Sequence, residues 1–187
     1  TVNKTNTNGY TFIFAIIMVL VVASVLAFTA TSLKPLQSEN VRNEKMQNIL
    51  ATVGIETSRD SAQALYDKYI TETISLREDG SVDKSVDAFE VDLTKELRKP
   101  VNEQIYPLYI ADIEGAKYYI IPLRGKGLWD AIRGFVALDA DYVVQGVFFD
   151  HKGETPGLGA NIKERYFMDD FTGEEIMNGT QYSGITV

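Results

Sequence analysis

From Tyr10 to Leu33 the chain carries no charged side chain for 24 residues, and Phe12 to Phe28 reads FIFAIIMVLVVASVLAF with Ser24 as its one polar member. About 20 apolar residues in a helix cross the ~30 Å hydrocarbon core of a bilayer. A helix buried inside a domain this small would instead show a polar face. The segment is therefore expected to be a transmembrane anchor. A cleaved signal peptide is the competing reading, but it needs a basic leading region and an apolar core of about 7 to 15 residues. Lys4 stands before the span, and Lys34, Arg42 and Lys45 stand after it among Glu39 and Glu44, so the positive-inside count leaves sidedness open.

The rest of the chain is of another kind. Of 187 residues, room for about one domain, those after Leu33 carry 17 of the 18 basic side chains and all 26 acidic ones, a net charge of −9. An acidic domain has no basic stripe to neutralise phosphates, which argues against nucleic-acid binding. The absence of cysteine excludes disulfides, thiolate nucleophiles, Cys-ligated zinc or iron–sulfur clusters and a lipoprotein anchor. With one histidine, His151, a Ser-His-Asp triad or His-rich metal site is nearly excluded, and a loop histidine beside Lys152 reads as solvated. Asp169-Asp170 and Glu174-Glu175 lack EF-hand spacing, so no metal site is expected. Neither a Walker loop nor a dinucleotide-binding glycine motif is present, so the chain has no NADH site of its own.

Periodicity divides the remainder. Ser38 is a candidate N-cap for a helix in which Val41, Met46, Ile49, Leu50 and Val53 recur at helical spacing until Gly54. A short helix is predicted from about Ser61 to Tyr69, then an alternating strand from Ile70 to Leu76 with a turn at Asp79-Gly80. Leu108 to Ile113, Lys117 to Leu123, Gly134 to Leu138 and Tyr142 to Phe149 are β-rich, with reversals at Glu114-Gly115 and Asp139 to Asp141. Short runs joined by tight turns predict a mostly antiparallel sheet with flanking helices, an α+β fold.

Two glycine-bearing loops interrupt the strands. Arg124-Gly-Lys-Gly-Leu-Trp-Asp130 holds the only tryptophan. Its glycines could simply supply positive φ angles and its tryptophan could cap a core. In His151-Lys-Gly-Glu-Thr-Pro-Gly-Leu-Gly-Ala160, Pro156-Gly157 is a strong turn signal. There the glycines let the backbone approach a flat molecule, the Thr155 hydroxyl could bond a heterocycle's polar edge and Leu158 could pack on its face. A plain surface turn is the alternative.

Two resemblances bear on these segments. Gly9-Tyr10-Thr11-Phe12 before an apolar helix resembles the processing site of type IV pilins, except that the family's glutamate at the fifth position after the glycine is Phe14 here. More extensively, Glu154-Thr-Pro-Gly-Leu-Gly159 after a strand and Asp150-His151 resembles the signature of two FMN-binding proteins. These are the C-type subunit of the sodium-translocating NADH:quinone oxidoreductase and the G-type subunit of the related Rnf electron-transport complex. Tyr118-Tyr-Ile-Ile-Pro-Leu-Arg-Gly-Lys-Gly-Leu-Trp129, the acidic turn at Asp139 to Asp141, Gly146-Val-Phe-Phe149, Leu33-Lys34-Pro35 and Asn48-Ile49-Leu50 are similar to the quinone oxidoreductase member of the pair. The Rnf member and a non-redox, membrane-tethered interaction domain are the alternatives.

Resemblance to the C-type subunit implies an electron-transfer component of a bacterial inner-membrane enzyme that oxidises NADH, reduces ubiquinone and exports sodium. It implies a tail over residues 1–9, a single span over 10–33, a stalk helix over 34–54 and a periplasmic FMN-binding domain over 55–187. FMN would be attached through its phosphate to a threonine by a flavin transferase, with the other subunits and the membrane as partners. Residue by residue, Glu154, Thr155, Pro156, Gly157, Leu158 and Gly159 are expected at the cofactor, with Gly127, Leu128 and Trp129 as a neighbouring wall and no catalytic acid–base residue. The family's flavin threonine ends an Asp-Gly-x-Ser-Gly-Ala-Thr motif. Here Ser183-Gly-Ile-Thr186 has Thr180 in the aspartate's place and Ile185 in the alanine's, so Thr186 is rejected as the carrier and the attachment site is expected beyond Val187.

Overall fold

The computed structural model describes residues 8–185. Helix α1 runs without interruption over Asn8–Thr52, and the chain divides into two compact units after Arg42. In the first, the side chains from Phe12 to Phe28 are exposed around the helix. By length and composition this helix is able to cross a membrane. Polar side chains in it are satisfied locally: Thr31 Oγ1 donates to the Ala27 carbonyl at 2.8 Å and Ser38 Oγ to that of Lys34 at 3.0 Å. Ser38 thus lies within the helix and does not cap a new one. The helix also continues through Pro35, a residue with no N–H to give to the preceding turn.

The second unit begins with the last turns of α1. Met46, Ile49 and Leu50 are fully buried, whereas Val41, expected on the same stripe, is 65% exposed because it precedes this unit. The helix closes on Gly54, whose φ is +78°, with the Ile55 N–H on the Leu50 carbonyl and the Gly54 N–H on that of Ala51. That is the Schellman pattern, which satisfies carbonyls that have no partner within the helix. Helix α2 covers Ala62–Tyr69 and leads directly into strand β1, Ile70–Leu76.

After a connection with a four-residue helix α3 (Leu93–Glu96) come β2 (Tyr106–Ile113), β3 (Ala116–Lys126), β4 (Ala131–Leu138) and β5 (Val144–His151). The five strands pair antiparallel in chain order. β5 begins later than the predicted Tyr142, because that residue has φ +63° and still belongs to the turn. Asp139 organises the turn, its Oδ1 accepting from the N–H groups of Asp141 and Val143.

Alternation along the strands gives the sheet two apolar faces. Tyr109, Ala111, Ile120 and Ala137 pack with Met46, Ile49, Leu50, Ala62 and Tyr66. On the other face Val136, Leu138, Val144 and Val147 pack with Met168 of helix α4 (Arg165–Asp169), beside Phe149 and Phe171. Phe149, Phe167 and Phe171 form a ring cluster with centroids 5.2 to 6.1 Å apart. A small hairpin, β6 (Met177–Asn178) and β7 (Gln181–Tyr182), follows. Ser183 to Ile185 show no strand, and Thr186 lies outside the described residues.

The end of α1 meets the sheet at Gly146, where an added Cβ would stand 2.3 Å from the Thr52 carbonyl oxygen. Alanine would ordinarily favour a strand over glycine. Gly146→Ala is nevertheless expected to lower unfolding stability by about 1–3 kcal/mol through overpacking. Denaturant unfolding of the full chain checks the sign, and an equal or higher midpoint would contradict this helix–strand contact.

Candidate functional site

The two glycine-bearing segments come together at one end of the sheet, at the β3–β4 hairpin tip and just past β5. Pairing of Gly125 with Ile132 and Lys126 with Ala131 extends the hairpin, so Arg124 to Lys126 are strand and only Gly127 to Asp130 form the tip. The tip is closed by the Gly127 N–H donating to the Asp130 carbonyl at 2.8 Å.

Glu154 joins the segments. It is 6% exposed, and its Oε1 accepts from the backbone N–H groups of Trp129 at 3.0 Å and Asp130 at 3.2 Å. A Cβ on Gly127 would come within 2.2 Å of that Oε1, and one on Gly159 within 2.8 Å of Oε2. Gly127 is therefore explained by close approach, and neither it nor Gly125 has the positive φ that a glycine-rich loop suggested. The Glu154 carboxyl group, expected at the cofactor, faces the protein and holds the hairpin tip.

Thr155 lies next to this grip, its Oγ1 accepting from the Trp129 indole N–H at 3.0 Å. The Thr155 carbonyl accepts from the N–H groups of Leu158 and Ala160, both at 3.1 Å, across a turn with Pro156 second and Gly157 third. Gly157 has φ +77°, as the third position of a type II turn requires. The turn directs Leu158 outward, 72% exposed, while Leu128 and Trp129 on the hairpin tip are 81% and 71% exposed. Three large apolar side chains and one hydroxyl thus stand at the same end of the domain, on backbone fixed from below.

His151 is half-buried, and its Nδ1 accepts the N–H of Glu154 at 3.2 Å. It therefore helps shape the loop, contrary to its reading as a solvated residue. An ion pair between Lys152 Nζ and Asp130 Oδ2 at 3.3 Å spans the same two segments. Backbone donation from Ala131, helped by Lys152, holds the Asp130 carboxyl below the usual carboxylate range.

The network beneath the loop did not emerge from the motifs. Asp150, the penultimate residue of β5, accepts from Arg133 Nη2 and Nε at 2.6 and 2.9 Å and pairs with Lys163 at 2.8 Å. Arg133 also lies 3.8 Å from Glu44. Burial opposes the charge on Asp150, but hydrogen bonds from Lys163 and Arg133 prevail and keep its pKa below the ordinary value. The register of Arg133 opposite Asp150 was the available signal, but Lys163 reaches it only because the 159–163 turn folds back on β5.

Comparison with known proteins places these features in a family. The FMN-binding domain family matches residues 127–186, a stretch that contains the hairpin tip Gly127 to Asp130 and the whole of the His151 to Ala160 loop. The C-type subunit of Na(+)-translocating NADH-quinone reductase from Pseudomonas aeruginosa is 31% identical over 173 residues, covering 81% of this chain and 66% of that protein. The crystal structure of the same subunit from Parabacteroides distasonis is 33% identical, with TM-score 0.76 over 81% of this chain and 74% of that one. Shewanella oneidensis NqrC, 20% identical with TM-score 0.64 over 73% of this chain and 71% of that one, shares the fold.

The sign of the Asp150 shift sets a pH dependence. A carboxyl group whose pKa is lowered by folding adds stability above its unfolded value, about 3.9 for Asp, and loses it as pH falls through the folded value. Unfolding stability should therefore decline in acid below pH ~4, with a shallower decline in Asp150→Asn. Chemical denaturation across that range tests this. An identical acid slope in the variant would show that the Arg133–Asp150–Lys163 cluster contributes nothing.

Proposed function

Because the chain belongs to the NqrC family, the C-type subunits of the Na(+)-translocating NADH-quinone reductases, we propose that it is the flavin-carrying, electron-transfer component of such a complex. The observation that carries this reading is the juxtaposition of Leu128, Trp129, Thr155 and Leu158 on two braced loops within the stretch that matches the FMN-binding domain family. The named relatives favour this branch over the Rnf one.

The residues present fit an isoalloxazine. Leu128, Trp129 and Leu158 offer apolar surface to its faces, while the hydroxyl of Thr155 can bond its polar edge. Gly157 keeps the turn close without a side chain, and Pro156 and Gly159 set its entry and exit. Glu154 and Gly127 act from beneath by holding the two loops together. FMN, when bound, supplies the redox chemistry, and the protein supplies orientation and electrostatics. In this reading no side chain of the chain serves as general acid, general base or nucleophile.

The wider assignment follows the same proposal. The Tyr10–Leu33 span anchors the chain in a bacterial inner membrane with its folded domain on the periplasmic side. The other reductase subunits are its partners, and NADH oxidation, ubiquinone reduction and sodium export are activities of the assembly. A flavin transferase joins FMN through a phosphoester to a threonine other than Thr186. The departures at Thr180 and Ile185 from the family's attachment motif support that exclusion.

In the assembled complex, Thr155→Val and Leu158→Asp should each change the FMN reduction potential or slow quinone reduction while leaving the unfolding midpoint close to that of the parent. Spectroelectrochemistry and turnover assays read the effect. Unchanged potential and turnover in both variants would remove these residues from the flavin site.

Coexpression of the 187-residue chain with a flavin transferase tests the exclusion of Thr186. Intact-mass analysis followed by peptide fragmentation should place no FMN moiety on it, and a mass gain mapped there would reverse the assignment.

A further inference from the structure

Trp129, on the hairpin tip, is held at both its backbone and its side chain by neighbours in the opposing loop. Glu154 takes its backbone N–H at 3.0 Å, and the adjoining Thr155 takes its indole N–H at 3.0 Å. Two consecutive residues thereby fix a side chain that is otherwise 71% exposed. An apolar wall needs no such fixing. The glycines at 127 and 159 leave room for the Glu154 carboxyl group that makes the first contact.

The direction of the second contact has a chemical consequence. An indole N–H only donates, whereas a threonine hydroxyl accepts through its lone pairs and donates one proton. Trp129 therefore occupies an acceptor site on Thr155 and leaves the hydroxyl proton for a different partner. We infer that Trp129 is a positioning residue that orients Thr155 as a hydrogen-bond donor to an acceptor on the flavin ring, a carbonyl oxygen or unprotonated nitrogen. This rests on the flavin reading given above and adds to it the polarity of the contact and a role for the indole N–H.

Two measurements test the inference. The first needs no flavin. Trp129 is the only tryptophan, so the ¹⁵N-labelled full chain in detergent gives one indole N–H resonance. That signal should exchange slowly with solvent in the parent and in Thr155→Ser, and at least threefold faster in Thr155→Val. Equal exchange in all three would overturn the Trp129–Thr155 bond.

The second titrates FMN into the full chain and follows flavin fluorescence. Trp129→Phe keeps a ring but lacks the N–H, and should weaken FMN binding about threefold to tenfold, the effect of one hydrogen bond. Thr155→Val should weaken it similarly, and the double variant should be no worse than the weaker single one, because the two act as a unit. Parent-like affinity in Trp129→Phe, with Thr155→Val weakened, would overturn the positioning role but leave the flavin reading in place. Parent-like affinity in both single variants would overturn the inference and remove Thr155 from the flavin site. Should Trp129→Phe fold poorly, the exchange comparison among the Thr155 variants still decides the hydrogen bond.

Discussion

The arrangement at the functional end depends on one buried acceptor atom. Glu154 Oε1 receives two backbone N–H groups from the hairpin tip, and removing that acceptor would break both bonds, each contributing about 1 kcal/mol at this partly exposed site. Several other features follow from its presence. Gly127 and Gly159 leave space for the carboxyl group, Leu128 and Trp129 are turned outward, and Thr155 comes within reach of the indole. Had Glu154 pointed to solvent, only exposed contacts, the Trp129–Thr155 bond and the Lys152–Asp130 pair, would relate the hairpin tip to the Pro156-Gly157 turn.

Strand β5 carries this arrangement to the rest of the domain. Near its start, Gly146 lets the Thr52 carbonyl at the end of α1 approach the sheet. Near its finish, Asp150 draws Arg133 from the neighbouring strand and Lys163 from the turn beyond the loop. A buried carboxylate is tolerated only with such partners. β5 is also an edge strand, a position open to unwanted pairing. Its beginning is covered by the segment after α4, where the Val144 N–H donates to the Glu174 carbonyl and the Gly173 N–H to that of Val144.

Much of this fold was legible because the decisive signals were local. Alternation and two-residue reversals located four hairpin-linked strands, and the Ile70–Leu76 strand was read to its boundaries. Errors arose where a tertiary contact or an unusual dihedral intervened. Tyr142 looks like the start of a strand by type, but its φ of +63° keeps it in the turn. Ser38 has the chemistry of an N-cap, but it bonds back to Lys34 inside a helix that continues through Pro35. In the candidate site, the motif singled out this loop but gave no sign of the inward orientation of Glu154. An acidic side chain in a glycine-rich turn gives no local sign that amides 24 and 25 positions earlier will enclose it.

The distribution of rigidity fits a carrier more readily than an enzyme acting by proton transfer. Below the loops, carboxyl groups, amides and an imidazole nitrogen are used to hold backbone in place. Above them, the exposed groups include Leu128, Trp129, Leu158 and the Thr155 hydroxyl, which can present surface and one directed hydrogen bond. A catalytic acid or base would need its ionisable atom at that surface, whereas Glu154 Oε1, His151 Nδ1 and Asp130 Oδ2 are each engaged with another part of the loops. A redox group brings its own reactive atoms and asks of the protein a fixed edge, an apolar face and limited reorganisation. Ionisable groups beneath and apolar groups above meet those demands, which is why the flavin reading accounts for both the exposed side chains and the bonds that keep them in place.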